Sequence, residues 1–482
     1  MIKFNNIKKK IYDFLCNKSI VLLGLGKSNL AIAEILSDFN FKFHVCDKSQ
    51  NLNTNLDKIA KKNVEFHLGS NYIEYLNNLN PDIIFRSPGI MFSQENLVKS
   101  NKKNVKITSE IEFFFEFCPF TTIGVTGSDG KTTVSTVISK ILEKSGVRTF
   151  LGGNIGRPLI SELINISQDN KKNIVFVIEL SSFQLISFRK SPDISVITNI
   201  SPNHLDIHKN YEEYIESKKN IFKYQDKNSG LVLNFDDNLV NSFSKEAQSS
   251  VIFFSTEKKI ENGLFLDENS NIIFRDNNKN MFILNKKDIK IPGKHNLKNF
   301  MAAIGSVIKF NKKFNKNLID IIKEVAYNFL GVEHRIEFVR EINNIKYYND
   351  SIASSPTRTM YGALSVFTKN VIIIAGGYDK KISYKEFGEF LSKDKLESRT
   401  VKAIILMGQT ASKIEESICQ ALGEFKPLIF NVQNMQSAIS KSQELSEPGD
   451  IVVLSPASAS FDLYQNFEQR GLHFKEIVNN LI

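Results

Sequence analysis

Short runs of consecutive apolar residues recur along the chain, each closing on a small or polar loop before a stretch with helix-like apolar spacing. Ser19-Ile20-Val21-Leu22-Leu23 runs into Gly24-Leu25-Gly26, and Phe41 to Val45 closes on Asp47. Asp82-Ile83-Ile84-Phe85 leads into Arg86-Ser87-Pro88-Gly89. A second block opens with Thr122-Ile123-Gly124-Val125 and adds Ile174 to Ile178 and Ile194 to Ile197. A third contains Val371 to Ala375, Ala403 to Met407 and Ile451 to Leu454. Strands alternating with helices in this way predict an α/β protein with mainly parallel sheets. Ligands gather at the carboxyl ends of such strands, so Glu179, Thr198 and Asn199 are placed to meet one. The Asn- and Lys-rich stretch from Asp236 to Asp288 reads as peripheral hairpins without chemistry.

Size agrees with three such blocks, because 482 residues exceed what one hydrophobic core serves. A hydrophobic fraction of 42% and a charged fraction of 24% are ordinary for a folded enzyme. The formal charge of +10 is scattered, with no basic stripe interleaved with aromatics, so no nucleic-acid partner is expected. A phosphorylated, acidic substrate suits the charge equally well. Cys16, Cys46, Cys118 and Cys419 are far apart, which argues against a disulfide framework or thiolate zinc site and fits a cytoplasmic setting. No run of eighteen apolar residues occurs, so stable membrane association is not expected.

The segment Thr126-Gly127-Ser128-Asp129-Gly130-Lys131-Thr132-Thr133 follows an apolar run and precedes a helix-compatible stretch. In such a turn backbone N–H groups face a phosphate, while the lysine supplies a point charge and the threonine a magnesium ligand. It departs from the strict Walker pattern, which asks for glycine where Val125 stands. Glu179, at the end of an apolar strand, is what a Mg²⁺ bridging nucleotide phosphates requires. His204 and His208 are four apart, but His-Leu-Asp-Ile-His lacks the glutamate of a zinc-protease helix, and His208 reads as structural. A nicotinamide dehydrogenase is the rival reading of Gly24-Leu25-Gly26 with Asp47 some twenty residues on. Asn29 stands there in place of the third glycine, and that reading leaves Gly130-Lys131-Thr132 unexplained. A non-enzymatic nucleotide-binding module would bind ATP without substrate-dependent turnover.

Together with the phosphate loop, Glu179-Leu180-Ser181-Ser182-Phe183-Gln184-Leu185, Asn199-Ile200-Ser201-Pro202-Asn203-His204-Leu205-Asp206 and Gly293-Lys294-His295-Asn296 resemble the Mur ligases in order and spacing. Ser87-Pro88-Gly89 and the run from Ser455-Pro456-Ala457-Ser458-Ala459-Ser460-Phe461-Asp462 to Asn466-Phe467-Glu468-Gln469-Arg470-Gly471 point to the glutamate-adding member. The Asp-Asn-Pro-Arg motif of the diaminopimelate-adding member is absent, and the C-terminal run argues against a folylpolyglutamate synthase. The resemblance implies three domains: residues 1–112 for a UDP-sugar, 113–331 for ATP, and 332–482 for the amino acid and nucleotide. It implies ligation of D-glutamate to UDP-N-acetylmuramoyl-L-alanine through an acyl phosphate and a tetrahedral intermediate, with ATP and two Mg²⁺, by a monomer.

Residue by residue, the resemblance puts ATP phosphates on residues Thr126 to Thr133. It puts Mg²⁺ on Thr132, Glu179, His204 and a carbamylated Lys218, Lys219 being the alternative. Asn296, Asn299, His334, Arg335 and Asp350 fall to the nucleotide. Gly26, Lys27, Ser28 and Asp47 fall to the uridine, and Ser87, Gly89 and Asn154 to the rest of the nucleotide-sugar. Ser181, Gln184, Ser354, Lys380, Ser460, Phe461 and Phe467 complete the substrate contacts, with Lys380, Ser460 and Phe467 on the incoming amino acid. Where the family commonly has Asp-Ser-Lys-Ala-Thr, this chain has Asp350-Ser351-Ile352-Ala353-Ser354, a departure that bears on amino-acid recognition.

Overall fold

The computed structural model describes residues 7–50, 52, 59, 63–90, 105–166, 173–202, 208–311, 315–367, 370–392, 401–423 and 426–481. They form two compact units: Met1–Ile289 with Lys294–Tyr327, and Lys290–Gly293 with Asn328–Ile482. The first unit holds two sheets and the second holds one. The three-way division at 112/113 and 331/332 therefore stays a proposal, with its first two parts in a single unit.

The first sheet contains β1 (Ile20–Leu23), β2 (Phe43–Asp47), β3 (Val64–Leu68), β4 (Ile83–Arg86) and β5 (Lys106–Thr108), in the order β3-β2-β1-β4-β5, all parallel. Central β1 and β4 are buried at every position, which is why they read as continuous apolar runs rather than alternating ones.

The second sheet has nine strands: β6 (Thr121–Thr126), β7 (Arg148–Gly153), β8 (Ile174–Glu179), β9 (Ile194–Ile197), β10 (Gly230–Asn234), β11 (Ser250–Ser255), β12 (Gly263–Leu266), β13 (Asn271–Asp276) and β14 (Lys279–Asn285). Their order is β14-β13-β12-β11-β10-β9-β6-β8-β7. The hairpin expectation for 236–288 needs correction in part. Only β12, β13 and β14 pair antiparallel, whereas β11 lies parallel to β10 and β12 parallel to β11, extending the main sheet. The half-buried alternation of β11 resembles a hairpin strand in sequence, but the helix Lys294–Phe310 packs over β10 and β11 and favours the parallel arrangement.

In the second unit, β15 (Glu337–Ile342), β16 (Ile345–Asn349), β17 (Val371–Ala375), β18 (Val401–Leu406), β19 (Leu428–Asn431) and β20 (Ile451–Leu454) form a sheet in the order β15-β16-β20-β17-β18-β19. Only β15 runs antiparallel. Separate apolar clusters fill its two faces, one around Ile373, Leu406 and Phe387, the other around Ile374, Ile405 and Phe474. Among the described residues no helix is long and apolar enough to cross a membrane.

Candidate active site

In the second sheet β6 lies between β8 and β9, so the loop after β6 meets the ends of both neighbours. Gly127 and Gly130 take φ of +151° and +83°, values a side chain tolerates poorly. A Cβ on Gly127 would lie 1.9 Å from Thr198 Oγ1, and one on Gly130 would lie 2.2 Å from Asn299 Oδ1. Glycine at both positions lets the turn close against β9 and against the helix Lys294–Phe310. Thr198 Oγ1 donates to Asp129 O at 2.6 Å, Asn199 O accepts from Ser128 N at 2.9 Å, and Asn199 Oδ1 accepts from Asp129 N at 3.0 Å. Ser128 Oγ adds a 2.8 Å hydrogen bond with Tyr214 Oη and one of 3.0 Å to Ser201 O. The loop is thereby tied to the ends of other elements before the helix Lys131–Lys144 begins.

On that helix Thr132 Oγ1 donates to Glu179 Oε2 at 2.7 Å, and Asn154 Nδ2 donates to Glu179 Oε1 at 2.9 Å. Glu179 is 2% exposed, and both carboxylate oxygens are engaged by neutral donors. Lys131 Nζ donates to Gly127 O and Ser128 O at 2.9 and 2.8 Å. Thr126 turns inward, donating to Leu180 O at 2.8 Å, and Thr133 is buried.

The resemblance favours Lys218 over Lys219, and the surroundings of the two differ sharply. Lys218 Nζ is buried, 2.8 Å from Gly127 O, 3.4 Å from Thr126 Oγ1 and 4.8 Å from the Tyr214 ring centre. Burial, reinforced by nearby Lys131, holds its pKa well below the ordinary lysine value; Asp129 and Glu179 oppose the shift. Lys219 points elsewhere, paired with Glu216 at 2.8 Å and Glu246 at 2.6 Å. A buried amine that favours its neutral form is the species that can add carbon dioxide. The hydroxyl of Thr132 and the carboxylate of Glu179 are hard oxygen donors in contact, which suits Mg²⁺. His204 lies outside the described residues. His208 is buried, bonded to Ser182 Oγ at 2.9 Å and stacked on Phe183, as a structural histidine would be.

Ser181 and Gln184 form a reciprocal cap on the short helix Ser182–Leu185, whose backbone they satisfy with their side chains. Asn299 Nδ2 donates to Asn296 Oδ1 at 3.2 Å, next to the phosphate loop.

In the first sheet, Gly26 caps the helix Lys27–Asp38, on which Lys27 and Ser28 are the first residues. Asp47 accepts from Leu25 N at 2.7 Å, and Ser87 Oγ donates to Gly24 O at 3.0 Å; Gly89 is exposed in the turn beyond. Asn29 lies beneath this loop, its buried Nδ2 within 2.7–3.1 Å of the carbonyls of Leu23, Gly24 and Phe85. Its only mark in the sequence is that it replaces a fingerprint glycine. Arg86, also unforeseen, donates to Ile90 O at 2.6 Å and reaches Phe183 O and Ser187 Oγ at 3.4 Å, joining the two sheets of the first unit.

In the second unit His334 is buried with φ +62°, its Nδ1 2.9 Å from Asn349 Nδ2, and Phe467 meets it edge-on at 5.9 Å. Asp350 is buried and accepts from Ser455 Oγ at 2.8 Å. Burial raises its pKa to about 7 against the opposing pull of that bond and of Arg335 and Arg358. Ser354 N donates to Ile352 O at 2.8 Å, Lys380 and Phe461 are exposed, and Ser460 is buried. Arg470 organises this region: its guanidinium donates to Ser351 Oγ, Ser351 O, Ser458 O and Ala459 O at 2.9–3.1 Å. It stood inside the C-terminal run, but no spacing rule marks a buried arginine.

A parallel sheet with a lysine-bearing phosphate loop beside a strand-end carboxylate defines a nucleotide-using α/β enzyme. The chain belongs to the Mur ligase family, whose members are ATP-dependent ligases. Residues 18–109 match the Mur ligase MurD-like N-terminal domain, 125–307 the Mur ligase middle domain, and 334–458 the Mur ligase glutamate ligase domain. The chain is 42% identical to the UDP-N-acetylmuramoylalanine–D-glutamate ligase of Acetivibrio thermocellus, with 99% of each chain covered. It is 44% identical to the enzyme of the same name from Clostridium acetobutylicum, with 97% of this chain and 98% of the relative covered. Among solved structures, MurF from Acinetobacter baumannii shares the fold at a TM-score of 0.56 and 14% identity, with coverages of 95% and 93%.

Proposed function

We propose that this chain joins D-glutamate to UDP-N-acetylmuramoyl-L-alanine at the cost of ATP, a cytoplasmic step in making the peptidoglycan precursor. The observation that carries this reading is 42–44% identity, over nearly the whole chain, to relatives named for that reaction. The arrangement of Lys131, Thr132 and Glu179 supplies the chemistry it needs.

A carboxylate resists attack by an amine because its leaving group is oxide. Transfer of the ATP γ-phosphoryl group to the alanyl carboxylate replaces that leaving group with phosphate. The N-terminus of the helix Lys131–Lys144 would meet the nucleotide phosphates, and Lys131 would neutralise charge as it spreads over the transferred oxygens. Mg²⁺ would be held by Thr132, Glu179, His204 and carbamylated Lys218, and when bound it screens the phosphate charge. The glutamate amine then attacks the acyl phosphate, and the tetrahedral intermediate expels phosphate. The first sheet offers Gly26, Lys27, Ser28, Asp47, Ser87 and Gly89 to the nucleotide-sugar. The second unit offers Lys380, Ser460 and Phe467 to the amino acid, and His334, Arg335 and Asp350 to the nucleotide.

Phosphate release from ATP with UDP-N-acetylmuramoyl-L-alanine, comparing D-glutamate, L-glutamate and L-lysine, tests the proposal when combined with mass spectrometry of the product. Release and a product of the right mass with D-glutamate alone are expected. The same result with another amino acid would reassign the substrate, and Ile352 and Ser354 would mark the altered pocket. No release with any of the three would end the ligase reading for these substrates.

A further inference from the structure

At the outer edge of the first sheet, away from the phosphate loop in the second, three side chains converge that the ligation chemistry does not use. His44 on β2 pairs in register with Glu65 on edge strand β3, and His67 lies two residues further along β3, so all three share one face. His44 Nδ1 and His67 Nε2 are 3.1 Å apart, and the Glu65 carboxylate lies 3.5 Å from the first and 3.7 Å from the second. Ligand atoms about 2.1 Å from a tetrahedral ion sit roughly 3.4 Å from one another, the scale of this triangle.

We propose that His44, Glu65 and His67 form a binding site for a zinc-class divalent cation, with two imidazole nitrogens and one carboxylate as ligands. Two imidazoles with a carboxylate favour a borderline ion such as Zn²⁺, Co²⁺ or Ni²⁺ over Mg²⁺, which prefers an all-oxygen shell. The flanks suit such a site. Tyr75 lies along His67 with ring centres 4.9 Å apart, walling one side. His67 and His44 keep side-chain exposures of 12% and 25%, whereas Glu65 is open at 68%, which leaves a path for the ion and for a solvent ligand. Because the ligands come from two strands, a bound ion staples edge strand β3 to β2, whose last residue, Asp47, holds the loop at Leu25.

The test uses the full-length protein, stripped of metal and titrated with Co²⁺ under excess Mg²⁺, so that hard-oxygen sites are occupied. One equivalent of Co²⁺ should bind with visible d–d absorption, and Zn²⁺ should displace it and raise the thermal midpoint. H44Q and H67Q should each weaken binding by roughly tenfold or more and abolish the absorption and the thermal shift. E65A, at an open surface position, guards against misfolding and should also weaken binding. Absence of Co²⁺ binding by the wild type, or H67Q and E65A binding as the wild type does, would overturn the proposal and leave a hydrogen-bonded imidazole pair.

Discussion

Thr132 Oγ1 donates to Glu179 Oε2 at 2.7 Å, linking the first turn of the helix after β6 to the end of β8. The contact exists because β6 and β8 are neighbours, so a hydroxyl from one element and a carboxylate from the next reach the same point. Glu179→Gln keeps the shape and an acceptor for Thr132, gives up the bond from Asn154 Nδ2, and removes the charge that would hold Mg²⁺. We expect kcat for ligation to fall by about 100-fold or more, with the Mg²⁺ requirement displaced upward and the thermal midpoint little changed. Phosphate-release kinetics across a Mg²⁺ series checks this; an unchanged kcat would remove Glu179 from the chemistry.

Lys218 is a site where function and stability should oppose each other. Its folded pKa is lowered, so the native state binds fewer protons there than the unfolded chain, and protonation at neutral pH works against the fold. The stability deficit shrinks as pH rises through the interval between the lowered folded pKa and the unfolded lysine value. Lys218→Met removes the charge, and Gly127 O keeps Lys131 as a donor. The variant should unfold at a higher temperature than the wild type near pH 7, the gap narrowing toward pH 10, while ligation activity is lost. Stripping bicarbonate from the wild type should lower activity reversibly. A K218M variant that remains active would refute the carbamate proposal.

Arg470 holds the C-terminal run in place through four acceptors on Ser351, Ser458 and Ala459. Burial lowers its pKa to about 10, which still leaves it charged at neutral pH. Lysine cannot reproduce a planar fork of donors, and a truncated side chain leaves buried carbonyls unsatisfied. Arg470→Lys should destabilise the second unit by about 2 kcal/mol or more in urea unfolding and raise KM for the amino acid more than KM for ATP. Equal effects on both KM values would make Arg470 a general support of that unit.

Much of this architecture was legible because buried parallel strands are written as unbroken apolar runs and end in glycine or polar residues. Gly127 and Glu179 could be found from that rule, and Gly130, Lys131 and Thr132 from the glycine-rich turn before a helix; the structure puts them in one cluster. What escaped depends on strand order, which sequence spacing does not encode. Thr198 reads as a strand-end residue, but its hold on the loop after β6 follows only from β9 adjoining β6, and β11 joins the main sheet because the helix Lys294–Phe310 covers it. Asn29, Arg86 and Arg470 are polar residues buried by satisfying carbonyls from distant segments, and no local pattern announces such a partner. The resemblance already favours Lys218 over Lys219; what it does not encode is the helix's orientation, which buries Lys218 and turns Lys219 toward Glu216 and Glu246.

Glu110 offers a pH signature independent of catalysis. It opens the helix Glu110–Phe117, where the N-terminal dipole favours negative charge, and its Oε1 accepts from Ile160 N at 2.9 Å. Burial outweighs both and raises its pKa from 4.5 to about 7. Between those values the native state holds a proton that the unfolded chain has released, so stability falls as pH rises from about 4.5 to about 7 and then levels off. The full loss is on the order of 3 kcal/mol. Glu110→Gln keeps an acceptor for Ile160 N and cannot ionise. Denaturant midpoints of the first unit should therefore favour the variant at pH 8 and converge with the wild type near pH 4.5. Parallel profiles for the two proteins would mean that Glu110 is already ionised in the fold well below pH 7.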